Sequence, residues 1–275
     1  MLKGIDVSAS NGLINWELVK NSGIDFAIIR IGYGDNIPSQ HDKRAMRNMD
    51  ECTRFGIPFG CYIYSYALND ANVISEVEHM LDMIKGYNPS LGLYFDMEDA
   101  DGYKKKHDMN PYTHKDTLNH FCELWLSEMR KIGRNDAGIY ANYDYFKNVL
   151  NYGELSMLGK IWLAQWSVNS PYKPCYMWQY TSSGKVPGIN GRVDMNYLYD
   201  DNVKPNHTEY YPAYIGSLTL ASAMKSLGID SSFSHRAKIA VANGIVINEK
   251  DYKGTLEQNI AMFNLLKSGK LKKEQ

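Results

Sequence analysis

The chain has 275 residues, of which 44% are hydrophobic and 22% are charged, as is typical of a globular protein with a buried core. Thirty basic side chains balance 31 acidic ones, and a net charge of −1 excludes a chain-wide attraction to nucleic acid. No apolar stretch is long enough to span a membrane, and the opening MLKGIDVSAS lacks the apolar core of a secretory signal, so we expect no membrane insertion.

Short apolar runs alternate with amphipathic stretches through about residue 200. The runs predict strands at 4–7, 26–31, 59–64, 91–95, 137–140, 161–165, 176–179 and 192–194. Between the earlier runs, helices are predicted at 16–22, 43–55, 73–85 and 113–132. This alternation is typical of a parallel sheet with crossover helices, and eight strands favour an α/β fold of the (β/α)8 barrel type. The later connections are too short for full helices, so the barrel should be irregular there.

The pattern changes after Asp200. The segment DNVKPNHTEYYP is polar and contains two prolines, which is typical of a linker. Helices are predicted around 218–227, 234–243 and 256–268, each ending near a glycine. We therefore divide the chain into a barrel at 1–202, a linker at 203–212 and a small α-helical domain at 213–275. The last part has nine Lys and Arg against five Asp and Glu, which favours an anionic surface.

The cysteines and histidines show no metal-ligand spacing, so we expect neither a metal nor a cofactor. Buried free thiols are the favoured interpretation of Cys52, Cys61, Cys122 and Cys175. The seven histidines are scattered over helical or loop segments. The chain also lacks a GxSxG elbow, a phosphate-binding loop and an HExxH motif.

The strongest local signal is LGLYFDME at residues 91–98, where an apolar strand runs into two acids. Side chains two residues apart on a strand point to one face, so Asp96 and Glu98 should project together. Crowding raises the pKa of one acid, which then holds a proton while its neighbour stays ionised. Glycosidic cleavage needs this division between a proton donor and a negative charge. A lone DxE is, however, more often a pair of solvated acids.

Two further acids change that balance. Asp6 ends the first predicted strand and Asp194 ends the last, and these strands are neighbours in a closed barrel, so both acids should face the same mouth. Such a cluster would also suit a divalent cation, but its flanking residues are aromatic and are not oxygen ligands. Asp99 should point to the opposite side and serve a structural or helix-capping role.

Aromatic residues near the strand ends predict a sugar-binding cleft. The best candidates for substrate contact are Tyr33, Tyr62, Tyr64, Trp166 and Gln179. Tyr94, Phe95 and Trp162 are expected to be packing residues instead.

Together these segments resemble family 25 glycoside hydrolases, the Chalaropsis-type lysozymes that include phage endolysins. The resemblance runs in order through KGIDVSASNGLINWELVKNSGIDFAIIRIGYG, FGIPFGCYIYSYA, LYFDMED, GIYANYDYF, IWLAQW and MWQYTSSGKVPGINGRVDMNYL, over roughly residues 1–200. It implies an irregular β/α barrel that cleaves the β-1,4 bond between N-acetylmuramic acid and N-acetylglucosamine of peptidoglycan. The segment IGYGD at 31–35 departs from many relatives, which affects the expected sugar subsites and leaves the chemistry unchanged.

The resemblance also implies roles for single residues. Glu98 corresponds to the general acid, and Asp96 to the residue that orients the substrate's 2-acetamido group or stabilises charge. Asp6 and Asp194 correspond to two supporting acids, and Tyr62 to a cleft tyrosine. Whether the anomeric configuration is retained or inverted stays open, because a DxE pair does not define the carboxylate separation.

The tail, with SLTLASAMKSLGIDSSFSHRAKIAVANGI and YKGTLEQNIAMFNLLKSGKLKK, resembles short C-terminal modules of clostridial and phage wall hydrolases.

 The resemblance implies that the tail targets the wall and associates with a second copy of itself. The other interpretation is that the tail only stabilises the barrel.

Two other functions remain open from the residues. One is a non-catalytic glycan-binding protein on the same barrel, and the other is a chitinase-like glycosidase. The usual chitinase strand carries a longer acidic series, whereas Leu91 and Leu93 are apolar here. With peptidoglycan as its partner, the chain is expected to act on the wall outside the membrane, after release from the host cytoplasm as a phage lysin.

Overall fold

The computed structural model describes residues 1–200, 210–211, 213–216 and 219–274. Eight strands form one closed barrel in chain order. Their bounds are β1 Leu2–Val7, β2 Phe26–Tyr33, β3 Phe59–Tyr64, β4 Leu93–Asp96, β5 Gly138–Asn142, β6 Lys160–Ala164, β7 Met177–Gly184 and β8 Val193–Leu198. The predicted barrel and the approximate positions of its strands are therefore confirmed.

The helices lie outside the barrel or in the tail. Around the barrel they are α1 Trp16–Asn21, α2 Ala45–Phe55, α3 Asp70–Met83, α4 Tyr103–Lys106, α5 Lys115–Lys131, α6 Tyr143–Asn148 and α7 Tyr152–Leu158. In the tail they are α8 Leu220–Ser226, α9 Phe233–Ala242 and α10 Leu256–Lys267. The short helices α4, α6 and α7 were not predicted. Among the described residues, no helix has the length and apolar character needed to cross a membrane.

The sequence predicted a parallel sheet, but the observed sheet is parallel only in part. Strands β1 to β7 pair in parallel, but β8 runs antiparallel to both β7 and β1. Only residues 185–192 connect β7 to β8. A parallel crossover needs a dozen or more residues, so this connection allows only an antiparallel return.

The inward-facing side chains change character along the barrel axis. The lower layers hold an apolar cluster that includes Phe26, Ile28, Tyr94 and Trp162. Glycine makes room for the largest rings: a Cβ on Gly4 would lie 2.4 Å from the Phe26 ring. Because side chains alternate along a strand, residues two positions further on face the same interior. The acids at the upper strand ends therefore lie above a filled, aromatic floor.

The outer faces of the strands pack against the surrounding helices in a second, larger cluster. Cys52, Cys61 and Cys122 are buried and Cys175 is half-buried, and all four are free thiols, as predicted. In the tail, the three helices share a separate cluster that includes Leu220, Met224, Ile239, Met262 and Leu266. Most of the predicted linker at 203–212 lies outside the described residues.

Candidate active site

Four acids meet at the mouth formed by the ends of β1, β4 and β8, and we call this region the groove. Asp6 lies near the end of β1 and pairs directly in register with Asp194. Asp96 is the last residue of β4, and Glu98 follows two residues later. The prediction that Asp194 ends its strand was wrong, because it is the second residue of β8. Since β8 is antiparallel, its beginning lies at the same mouth as the other strands' ends.

Asp6 is held by amides from the last two strands. Gln179 Nε2 and Asn196 Nδ2 donate to Asp6 Oδ2 at 3.0 and 2.8 Å. Burial, together with the neighbouring charge of Asp194, raises the pKa of Asp6 to about 7. Burial also raises the pKa of Asp194, while its hydrogen bond to Asp6 lowers it. The raised pKa values of both carboxyl groups favour a shared proton on this pair.

Asp96 lies deeper in the groove than Glu98. It is buried, and among the described residues its Oδ1 atom has no hydrogen-bond partner. Burial raises the pKa of Asp96 well above its usual range, and the neighbouring charge of Glu98 raises it further. Lys104 and Arg30 oppose this rise with their positive charges. Asp96 therefore has one buried oxygen whose hydrogen-bonding capacity is unused within the described protein.

Glu98 is half-buried and contacts a residue of the next strand. Asn142 Nδ2 donates to Glu98 Oε2 at 3.4 Å. Burial raises the pKa of Glu98, the bond from Asn142 lowers it, and the charges of Asp101 and Asp194 raise it again. A carboxyl that keeps its proton and still reaches solvent is suited to act as a general acid.

Trp162 lies at the centre of the floor beneath the groove. Its ring centroid is 4.5 Å from that of Tyr140, 5.4 Å from Tyr94 and 5.6 Å from Tyr62. Its Nε1 atom donates to Asn196 Oδ1 at 2.8 Å, which directs the Asn196 amide nitrogen to Asp6. Tyr94, Phe95 and Trp162 are buried as predicted, but Trp162 also orients a partner of the acids.

The predicted substrate contacts fall into two groups. Gln179 is only 2% exposed, and its Oε1 atom accepts from both Tyr140 and Trp166 at 3.2 Å, so it lies behind Asp6 and not on the groove surface. Trp166 is 50% exposed and Tyr62 is half-buried, so both rings are accessible.

Tyr64 and Tyr33 lie towards the rim. The Tyr64 hydroxyl accepts from the Ala100 amide at 2.9 Å, and this contact holds the loop after Glu98. The Tyr33 ring packs 5.3 Å from Tyr66, and its hydroxyl donates to the Ser39 carbonyl at 3.4 Å. Tyr33 therefore belongs to the outer wall and is separate from the carboxyl cluster.

Asp99 caps α4, as its position had suggested. Its two oxygens accept from the amides of Lys104 and Lys105 at 2.7 and 3.1 Å. Within the described part of the chain, no group of three or more His, Cys, Asp and Glu side chains is arranged to hold a metal ion.

Sequence reasoning missed Asn142, Asn196, Tyr140 and Lys104, which all contact the acids or their partners. Asn196 lies two residues after Asp194 on one strand face. The spacing that paired Asp96 with Glu98 was a signal that could have identified it.

Comparison with known proteins identifies a family and several relatives. Residues 5–189 match the glycosyl hydrolases family 25. Lysozyme M1 of Streptomyces globisporus is 25% identical over 204 residues, which cover 71% of this chain and 67% of that protein. The autolytic lysozyme of Clostridium acetobutylicum is 26% identical over 203 residues, which cover 71% and 55%.

A solved structure extends the comparison to the fold. The modular autolysin LytC from Streptococcus pneumoniae, solved in complex with a synthetic peptidoglycan ligand, has a TM-score of 0.64 and 29% identity. The match covers 72% of this chain and 46% of that autolysin, so this chain spans less than half of its length. Because the family match covers more than half of the sequence, the chain belongs to the glycosyl hydrolases family 25.

Proposed function

We propose that the chain is a muramidase, which hydrolyses the β-1,4 bond between N-acetylmuramic acid and N-acetylglucosamine in bacterial peptidoglycan. The observation that carries the proposal is the pairing of half-buried Glu98 with buried Asp96 in one groove, where the pKa of both is raised. The names of the relatives support the substrate, since two are lysozymes and the autolysin binds a peptidoglycan ligand.

In this proposal Glu98 is the general acid. It is the more accessible member of the pair, and its raised pKa keeps a proton available for the leaving sugar oxygen. Asp96 accepts the N–H of the substrate's 2-acetamido group through its unpartnered Oδ1 atom, or stabilises positive charge at the anomeric carbon. Both roles require Asp96 to be ionised near an oxocarbenium-like transition state, and the positive charges of Lys104 and Arg30 favour this form against the effect of burial.

Asp6 and Asp194 act as supporting acids. Because the pKa values of both are raised, the pair adds less negative charge beside Asp96 than two fully ionised carboxylates would add. The accessible rings of Tyr62 and Trp166 would stack on sugar, with Tyr64 and Tyr33 at the rim and Gln179 supporting Asp6 from behind.

The first experiment measures the release of reducing ends from purified wall. Glu98→Gln should lower the rate by about 10³-fold, because general acid catalysis contributes about 10² to 10⁴. Asp96→Asn should also be severely impaired. The control is Glu78→Gln, an exposed glutamate on α3, which should keep the wild-type rate. Circular dichroism and thermal unfolding must show that each variant is folded. Unchanged activity in both groove variants would exclude this mechanism.

Mass spectrometry of the products identifies the bond that is cut. Fragments that end in reducing N-acetylmuramic acid are expected. Fragments that end in reducing N-acetylglucosamine would favour a chitinase-like specificity, and binding without products would favour a non-catalytic glycan-binding protein. The anomer formed first, observed by NMR, distinguishes retention from inversion.

We also propose that residues 213–275 form a wall-binding module, joined to a catalytic barrel at 1–202 by a linker at 203–212. Its separate hydrophobic cluster and its excess of four basic residues support this division. Since the proposed substrate lies outside the membrane, the chain would act there, after release from the host cytoplasm as a phage lysin. Self-association through the module belongs to the same proposal.

A further inference from the structure

We propose that Lys104 is a positioning residue whose ammonium group ties the ends of β3 and β4 together and thereby holds the backbone that carries Glu98. The inference rests on the proposed muramidase function, because it concerns the geometry of the same groove. Lys104 is fully buried and does not contact the substrate, so it acts through the two chain segments that it joins and through its charge.

The contacts of the Lys104 side chain support this role. Lys104 is 0% exposed, although lysine is almost never fully buried without a partner. Its Nζ atom donates to the carbonyl of Glu98 at 3.0 Å and to the carbonyl of Ser65. Ser65 directly follows β3 and Glu98 lies two residues after β4, and the Ser65 amide also donates to the Asp96 carbonyl at 3.0 Å. Two backbone bonds from one cation therefore join both strand ends.

A buried carboxylate on α3 completes the arrangement. Glu76 is 0% exposed and accepts from Ser65 Oγ at 2.9 Å and from the Tyr66 amide at 2.6 Å. Burial raises the pKa of Glu76 to about 8 and lowers the pKa of Lys104, and each group opposes the other's shift. When Glu76 is ionised, α3 therefore supplies a negative charge that favours the charged form of the buried lysine.

The acidic segment itself positions this lysine. Asp99 accepts from the Lys104 amide at 2.7 Å, and Lys104 Nζ returns to the carbonyl of Glu98, the residue before Asp99. Residues 98–104 therefore form a closed loop of contacts. The single turn of α4 places the lysine beneath the strand end instead of in solvent.

The charge of Lys104 also acts on the acids. The ionisable groups that interact with it come from α3, β4 and its following loop, α5 and β3: they are Glu76, Asp96, Glu98, Asp99, Asp101, Cys122 and Tyr64. Its positive charge lowers the pKa of both Asp96 and Glu98, against the effect of burial. Removing that charge should raise both pKa values, so both limbs of the pH–activity profile should move to higher pH.

The test compares Lys104→Met with Lys105→Met, its exposed neighbour on the same turn. Lys104→Met should lower kcat about ten- to hundredfold, because a small displacement of a catalytic group has an effect of that size. KM should change much less, and both limbs of the pH–activity profile should move to higher pH. Lys105→Met should reproduce the wild-type kcat and profile. A role in stability alone would reduce the folded fraction and leave the limbs in place.

A second variant covers a failure of Lys104→Met to fold, since that change leaves Glu76 without its cation. The double variant Lys104→Met/Glu76→Gln removes both charges, and it should still show the lower kcat and the shifted limbs. A folded variant with wild-type kcat and wild-type limbs would overturn the inference. If the wild-type chain releases no muramic acid ends from wall, the proposed function fails instead, which separates the two outcomes.

Discussion

Asn142 shows how one side chain can serve both the fold and the site. Its Oδ1 atom accepts from the Tyr145 amide at 3.0 Å and caps α6, and its Nδ2 atom is thereby directed to Glu98. A helix cap thus orients an amide donor towards the proposed proton donor. This donor lowers the pKa of Glu98, against the larger effect of burial.

Asn142→Asp should move the alkaline limb of the kcat/KM profile to higher pH. Aspartate keeps the oxygen that caps α6, but it replaces an N–H donor with a carboxylate close to Glu98. Both changes raise the pKa of Glu98, so the acid keeps its proton further into the alkaline range, by about one pH unit. The matched control is Asn148→Asp, at an exposed position of the same helix, which should leave the limb in place. A limb that moves to lower pH would contradict the assignment of Glu98 as the proton donor.

The positions of the acids could be predicted from sequence, because an acid at the end of an apolar run stands out. Asp96 follows the run at 91–95 directly, and Asp6 follows GI in the first strand. Lys104 and Asn142 could not be predicted, because both residue types are common on surfaces. Their importance arises from burial and contacts, which depend on neighbours that are distant in sequence.

At the scale of elements, the last strand determines how the barrel closes and how Asp6 is held. Strand β8 contributes Asp194 and Asn196, and the Asn196 amide links Trp162 on β6 to Asp6 on β1. This link passes through the barrel interior, where hydrogen bonds are shielded from water. An indole beneath the groove therefore affects an acid that it does not touch.

Trp162→Phe should lower both stability and kcat. The change removes the indole N–H and leaves Asn196 Oδ1 buried without a partner, at a cost of about 1–3 kcal/mol. The Asn196 amide is then free to reorient away from Asp6, so kcat should fall about tenfold. Urea unfolding and steady-state kinetics measure the two effects.

Trp16→Phe provides the comparison. Trp16 is also buried, and its indole donates to Asn48 Oδ1 at 3.1 Å, but it lies on α1 outside the barrel. It should lose similar stability and keep the wild-type kcat. Equal losses of kcat in both variants would show that the effect of Trp162 is only a general loss of stability.

Strands β2 and β8 show what apolar runs in the sequence can and cannot predict. Strands that are buried on both faces leave continuous apolar runs, so the run at 26–31 located β2 well. The direction of β8 could not be read from its alternation, which is the same in both directions. The direction of β8 depends on the length of the connection from β7. This connection, residues 185–192, is short because β7 extends to Gly184, beyond the predicted end of that strand at 179.

At the scale of the whole molecule, the barrel and the tail have separate hydrophobic clusters. The proposed division into a catalytic part and a wall-binding part predicts that their functions can be separated. Two weak attachments to one polymer increase retention through effective concentration. The sequence indicated the tail's three helices, but it contained no comparable signal for the surface that binds the wall.

Truncation to residues 1–202 should lower the rate on intact wall about tenfold or more at low enzyme concentration, because the second attachment is lost. The rate on short soluble glycan fragments should stay unchanged, since these cannot engage both parts at once. Residues 203–275 alone should sediment with the wall. If this fragment stays in the supernatant and truncation leaves the rate on wall unchanged, the tail is a stabilising appendage.

The antiparallel final strand also affects the order in which the groove is assembled during synthesis. A ribosome-bound chain that has reached residue 190 contains Asp6, Asp96 and Glu98, but it lacks Asp194 and Asn196. The barrel cannot close until β8 has left the exit tunnel and inserted between β7 and β1. An unfinished chain therefore lacks a complete groove, and chains that are terminated early should be inactive inside the cell that makes them.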